Sequence, residues 1–403
     1  MSDDFLSKSV MELYAHAARN GEQVCVPDGY DMEFLATYIP QSVLQIAMGC
    51  GVPVGLGTVR LGETILDVGS GGGIDCFEAS RLTGKDGLVI GVDMTDEMLE
   101  IARNSAATVA TNLGYPQSNV EFRKGRAEKL PVDDQTIDLI ISNCVINLAQ
   151  DKQRVFQEMY RALKIGGRFT ISDVVADTSV PNYLLNDQER WGACLSGAMY
   201  TRDYLRTIRG TGFVGVHQIG VAPWGMIDGV HFSALTVTGY KVAVPPSKPS
   251  NEEQFSGYAV LKGPFKWVID EYDQTFVRGL WRSIDQKTLD LLHLDPFRPW
   301  FLFSKDVVSG KMLNDDDPEL LRIIPEDKPC VWQGHFATMT SLFERAEDDD
   351  HHQFESGVPI EICSKTNAVL ATPQYASFFH ILNRSQQSVS GEAVSCSPNG
   401  ECC

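Results

Sequence analysis

The chain carries ten cysteines, and three of them stand in short runs that invite a chemical explanation. Cys50 lies between Gly49 and Gly51, Cys144 lies in Ser-Asn-Cys-Val-Ile-Asn-Leu, and Cys194 lies in Trp-Gly-Ala-Cys-Leu-Ser-Gly-Ala. Glycines on both sides of Cys50 permit a tight, exposed bend that presents a thiol. Clustered thiolates are soft ligands and suit a thiophilic acceptor, whereas a carbon, nitrogen or oxygen acceptor has no need of them. Taken singly, each cysteine also fits a core, since free Cys is among the most buried residue types. Cys76, on a helical stretch, is read as core. No two cysteines form Cys-x-x-Cys, which argues against a structural zinc ribbon.

The thiols flank a nucleotide-type turn. Asp67-Val-Gly69-Ser-Gly71-Gly-Gly73 follows the β-rich Thr64 to Val68 and precedes the helical Ile74 to Leu82, the context in which a glycine run brings backbone close to a ligand. Without that context the glycines would only allow a tight turn. Asp93 ends the next strand, where a carboxylate can accept both hydroxyls of a ribose; Thr95 and Asp96 follow, so a helix cap is the competing role. Dinucleotides and S-adenosylmethionine share that ribose. Asp67 at the head of the loop, together with Gly125-Arg126-Ala127-Glu128-Lys129-Leu130-Pro131, which resembles the adenine-edge segment of class I methyltransferases, favours S-adenosylmethionine. Asp67, Gly69, Gly71, Gly73, Asp93, Met94, Arg126, Ala127 and Asn143 are the expected cofactor-binding residues.

The elements that must position these groups are readable. Short strands are expected at Thr64–Val68, Leu88–Asp93, Val120–Arg123, Ile137–Ser142 and Arg168–Ser172, followed by a pair near Val214 to Val221 and Phe232 to Val242. Helical runs alternate with the first five, which predicts an α/β fold with a mainly parallel sheet. Five crossings followed by a hairpin-like pair match a class I methyltransferase, Rossmann-like sheet better than a dinucleotide-binding dehydrogenase. Ahead of it, helices are expected at Val10–Arg19, ending at Asn20-Gly21, and from about Met32 to Met48. Cys144 follows the fourth strand, at the end where open α/β sheets bind ligands.

The expected organisation is an N-terminal helical segment with Cys25 and Cys50 (1–62), the cofactor domain (63–243), a Pro-rich polar linker (244–253), a smaller α+β C-terminal domain (254–385) with a helix at Ser283 to Leu294 and acidic loops at Asp315–Asp317 and Asp348–Asp350, and a disordered polar tail (386–403) with Cys396, Cys402 and Cys403. A hydrophobic fraction of 43% and 22% charged residues fit a globular chain with no membrane span. The net charge of −19 repels polyphosphate, so nucleic acid is not an expected partner. The acidic N-terminus lacks a basic leader and an apolar core, so a cytoplasmic location is expected.

The Asn-Cys-Val-Ile-Asn-Leu run, the Trp-Gly-x-Cys-Leu-x-Gly-Ala run and the Gly-Cys-Gly bend, in this order around the glycine loop, resemble the arsenite S-adenosylmethionine methyltransferases over about residues 8 to 242. The resemblance implies an enzyme that methylates thiol-bound trivalent arsenic in detoxification. It implies Cys144 and Cys194 as the pair that retains arsenic through successive methylations, Cys50 as the third thiol, and Cys25 as redox partner of Cys50. Arsenite and methylated arsenicals are the implied substrates, with thioredoxin or glutathione as the external thiol reductant, and the chain is expected to be a monomer. It departs from the family in having Ala47-Met48 where an aromatic pair, with a tyrosine near the sulfonium, ordinarily precedes the bend. Two rivals are a methyltransferase for a small organic acceptor such as a quinone or sterol, and a metalloid-sequestering protein on a non-catalytic scaffold.

Overall fold

A computed structural model of the chain describes residues 3–21, 29–55, 59–185, 195, 197–243, 255–270, 272–294, 297–306, 310–313, 318, 320–321, 332–339, 343, 345–348, 352–356, 358–372 and 378–383. Two compact units divide it, Met1–Ala243 and Val244–Cys403. Cys25, Cys194, the 244–253 stretch and the 386–403 tail lie outside the described residues. Among the described residues no helix is long and apolar enough to cross a membrane.

The first unit is built on one sheet with the order β3-β2-β1-β4-β5-β8-β7. Strands β1 (Thr64–Val68), β2 (Leu88–Asp93), β3 (Val120–Lys124), β4 (Ile137–Asn143) and β5 (Leu163–Ala176) run parallel; β8 (Val230–Tyr240) pairs antiparallel with β5, and β7 (Val214–Ile227) closes the edge; β6 (Met199–Tyr200) pairs with the end of β5. This is the class I methyltransferase arrangement, and the order reverses between β1 and β4, where such sheets open a crevice at their carboxyl ends.

Alternation along the strands separates two cores. Leu66, Val68 and Ile140 face α6 (Lys152–Ala162) and α8 (Thr201–Gly210), whereas Ile65, Leu139 and Ile141 face α2 (Met32–Leu35), α3 (Gln41–Leu44), α4 (Ile74–Thr83) and α5 (Asp96–Asn112). Helix α6 shows what fixes a helix here. Asp151 caps it by accepting the Arg154 N–H at 2.8 Å, worth about 1 kcal/mol. Burial of Val155, Phe156 and Met159 contributes on the order of 2 kcal/mol each, so packing outweighs the cap.

Three sequence expectations need correction. The helix expected from Met32 to Met48 is two short helices, α2 and α3, parted at Pro40, which has no N–H to continue a helix and holds its predecessor extended. Strand β5 runs well past the expected end at Ser172, and Asp173 within it is fully buried and accepts the Tyr204 hydroxyl at 3.2 Å. Burial pushes its carboxyl up to about 7, against the pull of Lys152 and of Tyr204. In the second unit, Ser283 and Ile284 belong to a strand, Arg282–Asp285, and the helix is Gln286–Leu292, capped by Asp285 accepting the Thr288 N–H at 2.8 Å.

Helix α1 (Asp3–Asn20) stops as expected before Gly21, whose φ is +66. The second unit contains small antiparallel sheets, with Phe255–Leu261 between Arg282–Asp285 and Phe301–Ser304, and Trp332–Met339 between Pro359–Cys363 and Phe379–Asn383. Phe265, Phe343 and Phe378 form a ring cluster inside it. Of its acidic loops, Asp348 is buried and accepts the His352 N–H at 2.8 Å; 315–317 and 349–350 lie outside the described residues.

Candidate functional site

A cavity opens at the carboxyl ends of β1, β2 and β4, walled by the glycine loop, Asp93 and Met94, Arg126 and Ala127, and Asn143 and Cys144, and flanked by Tyr14 of α1 and Met48. Two glycines show why the loop needs them. Gly69 has φ +77 and a Cβ there would stand 2.2 Å from Val145; Gly71 has φ +50 and its Cβ position meets open space. The first is a clearance, and the second leaves backbone exposed to a ligand.

Asp93 stands on the wall and organises it. Its two carboxylate oxygens accept the Gly71 N–H at 2.9 Å and the Thr95 N–H at 2.8 Å. Residue Thr95, not Asp93, is the N-cap of α5. Hydrogen bonds from the Thr95 side chain and the Met94 backbone also bear on the Asp93 carboxylate, which lines the cavity. Burial raises its carboxyl pKa, while the N–H groups of Thr95 and Gly71 counter it. The remaining wall at Met48, Met94, Met98 and Ala127 is apolar, as a neutral adenine requires. A glycine cradle, a ribose-type carboxylate and an apolar slot together fit S-adenosylmethionine. Arg126 is half exposed and pairs with Glu128 at 3.4 Å, leaving its backbone and Ala127 on the cavity.

Behind the loop lie two buried carboxyls. Asp67 accepts the Cys76 thiol at 3.2 Å; burial raises Asp67 well above the ordinary range, with like-charged Asp75 adding to it, and the same burial raises the Cys76 thiol. Cys76 is fully enclosed. Asp75 borders the cavity and its carboxyl is raised by burial, opposed by hydrogen bonds from Tyr30 and Asn143. Sequence reasoning missed Asp75, Tyr30 and Tyr14: an acid in the first turn of a helix looks like an ordinary dipole partner, and Tyr30 stands in a segment with no periodicity. Tyr14 and Met48 pack together against Ala18, Ile46 and Met98, so an aromatic ring reaches this wall from α1 although none precedes the bend.

The structure brings two of the expected thiols together. Cys50 and Cys144 are each 4% exposed and share an apolar cluster with Val174, Ala176, Val230 and Phe232. The Gly49-Cys50-Gly51 bend is therefore buried, not exposed as the sequence suggested. Its glycines provide clearance: a Cβ on Gly49 would lie 2.5 Å from Asn143 Nδ2, and one on Gly51 would lie 2.6 Å from Ser172 Oγ. Asn143 grips the bend, its Oδ1 accepting the Cys50 N–H at 3.0 Å and its Nδ2 donating to the Gly51 carbonyl at 2.8 Å.

Cys144 leaves β4 with φ +59, a left-handed conformation uncommon outside glycine, and its N–H donates to the Ser172 carbonyl at 2.7 Å. That turn leaves Cys144 on the cavity wall. Leu195 and Ala198 pack on the same cluster; Cys194 itself lies outside the described residues.

A methyltransferase domain model matches residues 60–212, and a domain of unknown function, DUF8838, matches residues 326–402. The chain is 36% identical over 269 residues to the arsenite methyltransferase of Mus musculus, spanning 64% of this chain and 70% of the relative. It is 43% identical over 188 residues to the arsenite methyltransferase of Halobacterium salinarum, spanning 47% and 46%. Among solved structures, an arsenic(III) S-adenosylmethionine methyltransferase from Chlamydomonas reinhardtii superposes with a TM-score of 0.53 at 32% identity, covering 70% of this chain and 98% of that one.

Proposed function

Because this chain belongs to the arsenite methyltransferase family, we propose that it transfers methyl groups from S-adenosylmethionine to trivalent arsenic held by Cys50, Cys144 and Cys194. The observation that carries this is the burial of Cys50 and Cys144 in one apolar cluster, with Cys144 also on the wall of a cavity suited to the donor. When bound, S-adenosylmethionine supplies an electrophilic methyl group to which the lone pair of arsenic adds.

The chain's own residues do the rest. Each thiol replaces one hydroxyl of arsenite, its proton leaving with that hydroxyl as water, and ligation itself favours the thiolate. Three sulfurs hold arsenic as a pyramid with its lone pair free, so no general base is needed. Gly69, Gly71, Asp93, Arg126 and Ala127 fix the donor, and orientation supplies most of the acceleration. Methylation leaves arsenic pentavalent. Two cysteines return it to the trivalent state by giving two electrons and joining as a disulfide, and an external thiol such as thioredoxin or glutathione reduces that disulfide. The resemblance assigns Cys25 as the partner of Cys50 in this step.

Incubation of the purified chain with labelled donor, excess thiol and either arsenite or a quinone tests the assignment. Label in methylated arsenicals is expected. Label appearing only in the quinone would refute it in favour of a small organic acceptor.

A further inference from the structure

Asp75, Asn143 and the Cys50 bend form one connected network that the reaction as described leaves without a task. Asn143 Nδ2 has two hydrogens and faces three acceptors: the Gly51 carbonyl at 2.8 Å, the Tyr30 hydroxyl at 3.0 Å and Asp75 Oδ2 at 3.3 Å. They cannot all be satisfied at once. Tyr30 in turn donates to Asp75 Oδ1. On its other side the same amide accepts the Cys50 N–H, so Asn143 brackets Cys50 between the N–H and carbonyl of its bend. Asp75 itself borders the donor cavity and is 4% exposed. The groups around it are Asp67 on β1, Cys76 and Glu78 on α4, Tyr30, and Asn143 on β4.

We infer that Asp75 and Asn143 form a positioning relay in which a cationic ligand in the cavity draws the Asp75 carboxylate toward itself and thereby commits the Asn143 amide to the Gly51 carbonyl, seating Cys50. The inference rests on the donor assignment above. With no cation present, Asp75 competes with Gly51 for a hydrogen of Asn143, and the bend is held less firmly. With the sulfonium present, that competition ends. The first thiol is thus fixed when the methyl donor is in place. Asp75 is a positioning residue here, acting on Cys50 through Asn143.

The test reads Cys50 directly. The full-length protein is alkylated with labelled iodoacetamide, and modification of the Cys50 peptide is timed by mass spectrometry with saturating S-adenosylmethionine, sinefungin or S-adenosylhomocysteine. The first two carry a cation at or beside the sulfur position and the third does not, while all three share the adenosyl and amino-acid parts. Cationic ligands are expected to slow Cys50 alkylation about fivefold more than the neutral one, the worth of one hydrogen bond of about 1 kcal/mol. In Asp75→Asn, which keeps shape and loses charge, the difference should vanish. Tyr30→Phe removes one of the three acceptors and should shrink it, which provides a second reading if Asp75→Asn does not fold. Equal protection by all three ligands in the unaltered protein, or an undiminished difference in both variants, would overturn the relay. Absence of S-adenosylmethionine binding by calorimetry would instead sink the donor assignment, so the two failures are distinguishable.

Discussion

Replacing Asp173 by Asn should change how stability depends on pH, by an amount that follows from its burial. In the folded chain burial holds this carboxyl at about 7, and in the unfolded chain it titrates at about 3.9. Between these values the folded state binds the proton and the unfolded state does not, so this group makes stability fall as pH rises. From pH 5 to pH 8 the unfolded form gains about 4 kcal/mol by ionising and the folded form about 1 kcal/mol, a net loss of about 3 kcal/mol. Asp173→Asn lacks that loss. The stability of the variant relative to the unaltered protein should therefore be about 3 kcal/mol more favourable at pH 8 than at pH 5. Urea unfolding followed by hydrogen-exchange mass spectrometry on peptides of β4 and β5 measures this in the first unit apart from the second. A relative stability that stays level within about 0.5 kcal/mol between the two pH values would mean that the carboxyl is hydrated and that β5 does not pass through the core.

Three further outcomes bear on the reaction. Cys144→Ser and Cys194→Ser should each abolish methylation of a monomethylated arsenical, because only one member of the pair that retains arsenic then remains; near-normal turnover of either would remove the arsenical assignment. Cys50→Ser should lose arsenite methylation yet retain turnover of the monomethylated substrate, which already carries carbon in one ligand position, and equal loss on both substrates would make Cys50 a structural group or general reductant. Asp93→Ala should weaken S-adenosylmethionine binding by about 1.5 to 3 kcal/mol, the range for hydrogen bonds to a charged group, with thiol-dependent arsenite binding retained; unchanged donor affinity by calorimetry would restrict Asp93 to bracing Gly71 and Thr95.

The sheet was legible because its parallel strands are buried on both faces and so read as short apolar runs, of which Ile137–Ser142 is the plainest. The glycine loop was legible because a strand and a helix flank it. The full length of β5 is not legible because Tyr204, the partner of its buried Asp173, lies on a helix with no local relation to it. The network at Asp75 was invisible for the same reason: Tyr30, Gly51, Asp75 and Asn143 come from four separate segments, and only the fold makes them neighbours. Gly49 and Gly51 gave a true signal with the wrong meaning. They were taken as freedom of the backbone, whereas the space they vacate is filled by Asn143 and Ser172.

The enclosure of Cys50 and Cys144 makes the site a sieve. What reaches two thiols that are each 4% exposed must be small, must leave its charge and its water behind, and must gain more from sulfur than it loses on entering an apolar wall. Arsenite, neutral at pH 7 and little larger than a few waters, meets all three conditions, and phosphate, charged at that pH, fails the second. Discrimination against the abundant oxyanions of the cell is then settled at the doorway, before any sulfur is engaged.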